Sequence, residues 1–147
     1  MKVLFVCTGN TCRSPMAEAI AKNIFEEKET DVKVASAGIY AFTGSAASEN
    51  SINAMDEIGI DISNHVATLI EEKHLIENDL ILTMTLDQKN ELVLQYPSYK
   101  DKVFTLSEYV GEDQDIFDPF GGEIEVYKEC LNQLVRYIDK FSSIINK

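Results

Sequence analysis

The residues Lys2-Val3-Leu4-Phe5-Val6 form a short apolar run that stops at a cysteine. Directly after it stands Cys7-Thr8-Gly9-Asn10-Thr11-Cys12-Arg13-Ser14, and then Pro15-Met16-Ala17-Glu18-Ala19-Ile20-Ala21. The first run reads as a strand buried on both faces, as parallel strands are. Pro near the start and Glu18 soon after read as the first turn of a helix. A buried strand feeding a helix through a tight polar loop is the opening of a βαβ unit. The rest of the chain must therefore supply parallel strands and crossover helices.

The remaining pattern agrees. Strands are expected at 32–38, 79–84 and 102–106. Helices are expected from the first loop to about Glu29-Thr30, then over 46–57, 68–75, 86–95 and 124–144. Gly59 acts as a stop signal after the second helix. In the last helix Val126, Leu131, Leu134, Ile138 and Phe141 fall at helical spacing and read as a core stripe, with Cys130 as plain core. A polar loop is expected over 107–122. The expected architecture is α/β: one domain over 1–147, an open four-stranded parallel sheet with helices on both faces.

The loop after the first strand carries the chemistry. Its amides face the positive end of a helix and can form a nest for a dianion. Gly9 would let the backbone turn sharply and approach a ligand. Arg13 adds a planar fork that grips two phosphoryl oxygens. The same positive field would hold Cys7 as a thiolate nucleophile. A buried structural cysteine in a turn would leave Arg13 and the polar loop residues without a purpose. The run lacks both the nucleotide P-loop pattern and the dinucleotide fingerprint.

Charge and cysteine usage narrow the class. The net charge is −12, which disfavours a nucleic-acid or anionic-membrane partner. Phosphate binding must then be local. Three cysteines, two of them five residues apart, do not make a disulfide framework. No transmembrane run or signal-peptide pattern is seen, so a cytoplasmic protein is expected. No His/Cys cluster has ligand spacing, and neither metal nor cofactor is expected.

The segment Val6 to Glu18 resembles the signature of the low-molecular-weight protein tyrosine phosphatase family. Asp118-Pro119-Phe120 resembles that family's Asp-Pro-aromatic loop. The likeness extends to Ser36-Ala37-Gly38 and to Gly59 through His65. It implies a flavodoxin-like topology and a covalent phosphocysteine on Cys7. Thr8, Gly9, Asn10, Thr11, Cys12, Arg13 and Ser14 would cradle the phosphate. Asp118 would be the general acid and then the base, with Phe120 stacked on the substrate. Asn10, Ser36 and His65 would support the loop, and Ser14 would donate to Cys7. Ser14 also reads as a helix cap, Asp118 as a turn residue, and His65 as a satisfied histidine before a helix. Cys12 would protect an oxidised Cys7 through a reversible disulfide.

Thr11 stands where tyrosine-directed relatives usually carry an aliphatic residue. With Asp118-Pro119-Phe120-Gly121-Gly122, it makes the chain similar to the protein-arginine phosphatase branch. That implies phosphoarginine proteins as substrates and an opposing protein-arginine kinase. Phosphotyrosine is the alternative. Arsenate reductase chemistry fits less well, because residues 79–95 contain no cysteine to relay a disulfide. A non-enzymatic phosphate-binding module would need neither Cys7 nor Asp118.

Overall fold

A computed structural model describes residues 1–145. The elements in chain order are β1 (Lys2–Cys7), α1 (Arg13–Glu27), β2 (Lys33–Gly38), α2 (Glu49–Asp56), α3 (Glu72–Glu77), β3 (Leu80–Thr83), α4 (Leu86–Gln95), β4 (Val103–Thr105), α5 (Leu106–Tyr109) and α6 (Ile124–Ile145). A 3-10 turn over Pro97–Lys102 leads into β4. The four strands form one parallel sheet in the order β2-β1-β3-β4. The order reverses beside β1, and ligands in such sheets bind at that point, beyond the carboxyl ends of the strands. Cys7 is the last residue of β1.

Alternation along the strands divides the core in two. Val3 and Phe5 of β1, with Leu80 and Leu82 of β3, face Met16, Phe25, Leu134 and Phe141 from α1 and α6. Leu4 and Val6, with Ile81 and Val103, face Leu75 of α3 and Leu92 of α4. Phe5 and Phe25 each meet Phe141 edge-on, at 6.3 and 6.1 Å between ring centres. These rings are fully buried, and truncating one to Ala costs about 3–5 kcal/mol.

Several expected boundaries shift, each for a local reason. α2 starts at Glu49, not near 46, because Ala46 bridges Val66 and the Ser48 hydroxyl accepts from the Ser51 amide as the N-cap. Thr68 does not begin a helix. Its carbonyl accepts from Gly38, and Ile70 donates back to Gly38, so this stretch prolongs the sheet edge. α3 follows only at Glu72, capped by the reciprocal Glu71 and His74 contacts. The expected polar loop opens with α5, whose Thr105 and Glu108 form a capping box. In α6 Val126 is only half-buried, and Tyr127 takes the core position instead.

α1 begins at Arg13, two residues before Pro15, the expected first helical position, and Glu18 falls outside its first turn. Among the described residues, no helix is long and apolar enough to cross a membrane.

Candidate active site

The end of β1 runs into the loop 8–12, and α1 starts at Arg13 with no side-chain cap on its amides. Those amides are open to an outside acceptor. Around them lies a cavity of about 320 Å³ lined by Cys7, Thr8, Gly9, Thr11, Cys12, Arg13, Asp118 and Phe120. Every residue expected at the front of the site lines it except Asn10 and Ser14. Those two are fully buried behind the loop.

The loop's left-handed residue is Asn10, with φ +56°, and not Gly9. This corrects the reading of Gly9 as the conformational pivot. A Cβ at Gly9 would meet only Thr11 Oγ1, at 3.6 Å, so that glycine leaves open space on the cavity side. Gly38, behind the loop, is tight instead. A Cβ there would stand 2.7 Å from the Thr8 carbonyl and 2.9 Å from the Asn10 amide nitrogen.

Asn10 tolerates its backbone because the residue is held at every polar atom. Its Nδ2 donates to Ser14 Oγ (2.7 Å) and Ser36 Oγ (2.9 Å). Its Oδ1 accepts from the Thr68 amide at 2.9 Å. Its carbonyl accepts from His65 Nε2 at 2.8 Å, which assigns the His65 proton to Nε2. The Ser36 hydroxyl in turn donates a hydrogen bond to Glu18 Oε1 at 2.5 Å, and Lys22 pairs with the other Glu18 oxygen at 2.6 Å.

Directionality follows from this chain. Ser14 Oγ accepts from Asn10, so its proton is free for Cys7 Sγ, 2.8 Å away. The Asn10 N–H donates to the same sulfur at 3.2 Å. Two donors on one sulfur suit an atom that carries negative charge. Ser14 thus serves the cysteine rather than capping α1. Ser36 and His65, two residues expected to support the loop, both hydrogen-bond to Asn10. Glu18 and Thr68 join the same series of hydrogen bonds and were not singled out in the sequence. Glu18 looked like a first-turn acid, and Thr68 acts through its backbone.

Arg13 is 7% exposed, and its Nη1 donates to the Ile116 carbonyl at 3.2 Å. Its Nη2 lies 3.6 Å from Asp118 Oδ2. Asp118 and Phe120 are exposed, and the Phe120 amide donates to Asp118 Oδ1 at 3.0 Å. Pro119 between them is buried. Asp118 therefore faces the guanidinium across the cavity and also makes the turn contact that an Asp-Pro pair favours.

Cys12 donates to Ser48 Oγ at 3.4 Å and lies 3.8 Å from the Tyr127 hydroxyl. Burial pushes the Tyr127 hydroxyl above its ordinary value, and its hydrogen bond with Cys12 adds to the rise. Cys130 is fully buried, and its thiol is pushed up to about 12, chiefly by burial. It is core, as expected. Among the described residues no group of His, Cys, Asp and Glu could hold a metal ion.

A thiol at the carboxyl end of the central strand, beneath a helix N-terminus and a buried arginine, marks a cysteine-dependent phosphatase. The family model described as low molecular weight phosphotyrosine protein phosphatase matches residues 2–147. The protein-arginine-phosphatase of Bacillus subtilis (strain 168) is 42% identical, over 100% of this chain and 98% of its own length. The low molecular weight protein-tyrosine-phosphatase PtpB of Staphylococcus haemolyticus is 44% identical, over 95% of this chain and 96% of its own. A solved structure of the YwlE arginine phosphatase, a cysteine-to-serine mutant with its active-site serine phosphorylated, superimposes with a TM-score of 0.97 at 40% identity. It covers 100% of this chain and 97% of that one. The chain belongs to the low molecular weight phosphotyrosine protein phosphatase family.

Proposed function

We propose that this protein removes phosphate from phosphoarginine residues of proteins, with residues 1–147 acting as one catalytic domain. The observation that carries the reading is the wall of the cavity. Two threonines, Thr8 and Thr11, and the Asp118 carboxylate line it, together with the Phe120 ring. A guanidinium needs hydrogen-bond acceptors and an aromatic face, and this lining offers both. The similarity to the Bacillus subtilis protein-arginine-phosphatase supports the same substrate. The acidic chain, at −12, would welcome a cationic product and repel nucleic acid. An opposing protein-arginine kinase and a cytoplasmic setting complete the proposal.

In the proposed mechanism Cys7 sulfur attacks phosphorus in line, and the P–N bond breaks as the S–P bond forms. Arg13 and the loop amides hold the equatorial oxygens as charge spreads over them. Protonated Asp118 gives its proton to the departing guanidine nitrogen. The resulting carboxylate then takes a proton from water, which attacks phosphorus and releases Cys7. The sulfur leaves as a thiolate, to which the Ser14 hydroxyl donates a hydrogen bond. Peroxide would oxidise Cys7 to a sulfenic acid, and Cys12 would displace water from it to close a protective disulfide.

Phosphotyrosine is the second reading, supported by the similarity to the PtpB protein. Paired peptides of one sequence, carrying phosphoarginine or phosphotyrosine, decide between them. Higher kcat/KM on phosphoarginine is expected, and higher kcat/KM on phosphotyrosine would reverse the assignment. Thr11→Ile should move the preference toward phosphotyrosine.

A further inference from the structure

Two threonine hydroxyls line the cavity, but they are held differently. Among the described residues, the side-chain hydrogen-bond contact of Thr11 Oγ1 is to Cys12 Sγ at 3.8 Å, which is weak. Thr8 Oγ1 accepts from Gln88 Nε2 at 3.1 Å. Gln88 is 5% exposed and lies in the first turn of α4. Its amide cannot be turned over, because Oε1 already accepts from the backbone N–H groups of Met84 and Thr85, each at 3.0 Å. The nitrogen is therefore committed to Thr8.

We propose that Gln88 is a positioning residue for substrate discrimination, acting through the Thr8 hydroxyl; the inference rests on the phosphoarginine reading. A hydroxyl has one proton and two lone pairs. Gln88 occupies one lone pair of Thr8 and leaves a proton and a lone pair. Phosphoarginine offers a complementary set: phosphoryl oxygens as acceptors and, one bond away, guanidinium N–H donors. Phosphotyrosine offers the oxygens but no N–H. The Thr8 lone pair thus gains a partner only with phosphoarginine, and a fixed hydroxyl presents it without loss of rotor freedom.

The test compares kcat and KM on matched phosphoarginine and phosphotyrosine peptides, with thermal unfolding of each variant. Thr8→Val keeps the shape and removes the hydroxyl. It should lower the arginine-to-tyrosine ratio of kcat/KM by about fivefold to tenfold, the worth of one well-placed hydrogen bond. Gln88→Met should lower the ratio in the same direction, and the double variant should fall no further than Thr8→Val alone. Gln88→Glu keeps both acceptor contacts to Met84 and Thr85 but can only accept from Thr8, drawing its proton away from the phosphoryl group. Both substrates should then slow while the ratio holds. Should Gln88→Met unfold, Gln88→Glu and Thr8→Val carry the comparison. An unchanged ratio in Thr8→Val, or additive effects of the two changes, overturns the inference. An unmodified enzyme that prefers phosphotyrosine overturns the phosphoarginine reading, and this inference with it.

Discussion

The two sides of the cavity are built in opposite ways. Behind the phosphate loop, Asn10 and Ser14 are sealed from solvent and joined through Ser36, Glu18 and Lys22 in one unbroken series of hydrogen bonds. Across the opening, Asp118 and Phe120 stand exposed, joined to the rest through a 3.6 Å contact to Arg13 and a local turn. Cys7 sits on a support that cannot shift without breaking several buried bonds, whereas Asp118 sits on an exposed turn with few ties. In the proposed mechanism that difference separates two jobs: preorganised electrostatics at phosphorus, and a proton donor that adapts to the leaving group.

Substitutions at four positions test that division, the first having the largest effect. Cys7→Ser should abolish turnover, by about 10⁴-fold or more, as loss of a nucleophile does elsewhere. Full activity in this variant on a generic aryl phosphate would remove Cys7 from the mechanism. Asp118→Asn should slow kcat by roughly 10²–10³-fold on substrates that need a leaving-group proton. Its unfolding free energy should stay within about 0.5 kcal/mol of the parent, as for an exposed position. A large stability loss there would contradict the view of this side as loosely held.

Asn10→Ala is the converse case. It leaves the Thr68 amide unpaired, strips donors from Ser14 and Ser36, and puts an alanine at φ +56°. A loss of about 2–4 kcal/mol is expected, together with a fall in kcat. Asn10→Gly relieves the backbone but not the lost bonds, so it should recover part of the stability and little of the rate. If Asn10→Ala unfolds like the parent in urea, the buried network is not what holds the loop.

The same contrast explains what was legible in the sequence. Strand, loop and helix at the start of the chain could be read because Val3 to Val6 and Pro15 to Ala21 obey local rules. Cys7 and Arg13 stood out because together at a helix start they have few alternative uses, whereas Asp118 stood out only through the resemblance, since an Asp-Pro pair alone reads as a turn. Glu18, Thr68 and Gln88 did not. Each looks ordinary in its own segment and acts on a residue 18, 58 or 80 positions away. The left-handed turn was assigned to Gly9 because glycine adopts it most freely, but the tertiary bonds of Asn10 outweigh that preference. The helix expected from Thr68 failed for a similar reason: pairing with Gly38 captured the backbone first.

The smallest effect belongs to Phe120. Its ring is 81% exposed and lines the cavity, so the folded state gains little from it. Phe120→Ala should leave stability nearly unchanged. It should raise KM by several-fold, on the order of 1 kcal/mol for a ring stacked on a guanidinium or a phenol, with kcat less affected. Phe120→Leu keeps apolar area but no π face, and should restore only part of the loss. A fall in kcat equal to that of Asp118→Asn would mean that Phe120 positions the acid, and the exposed side would then be a single unit rather than a donor beside a clamp.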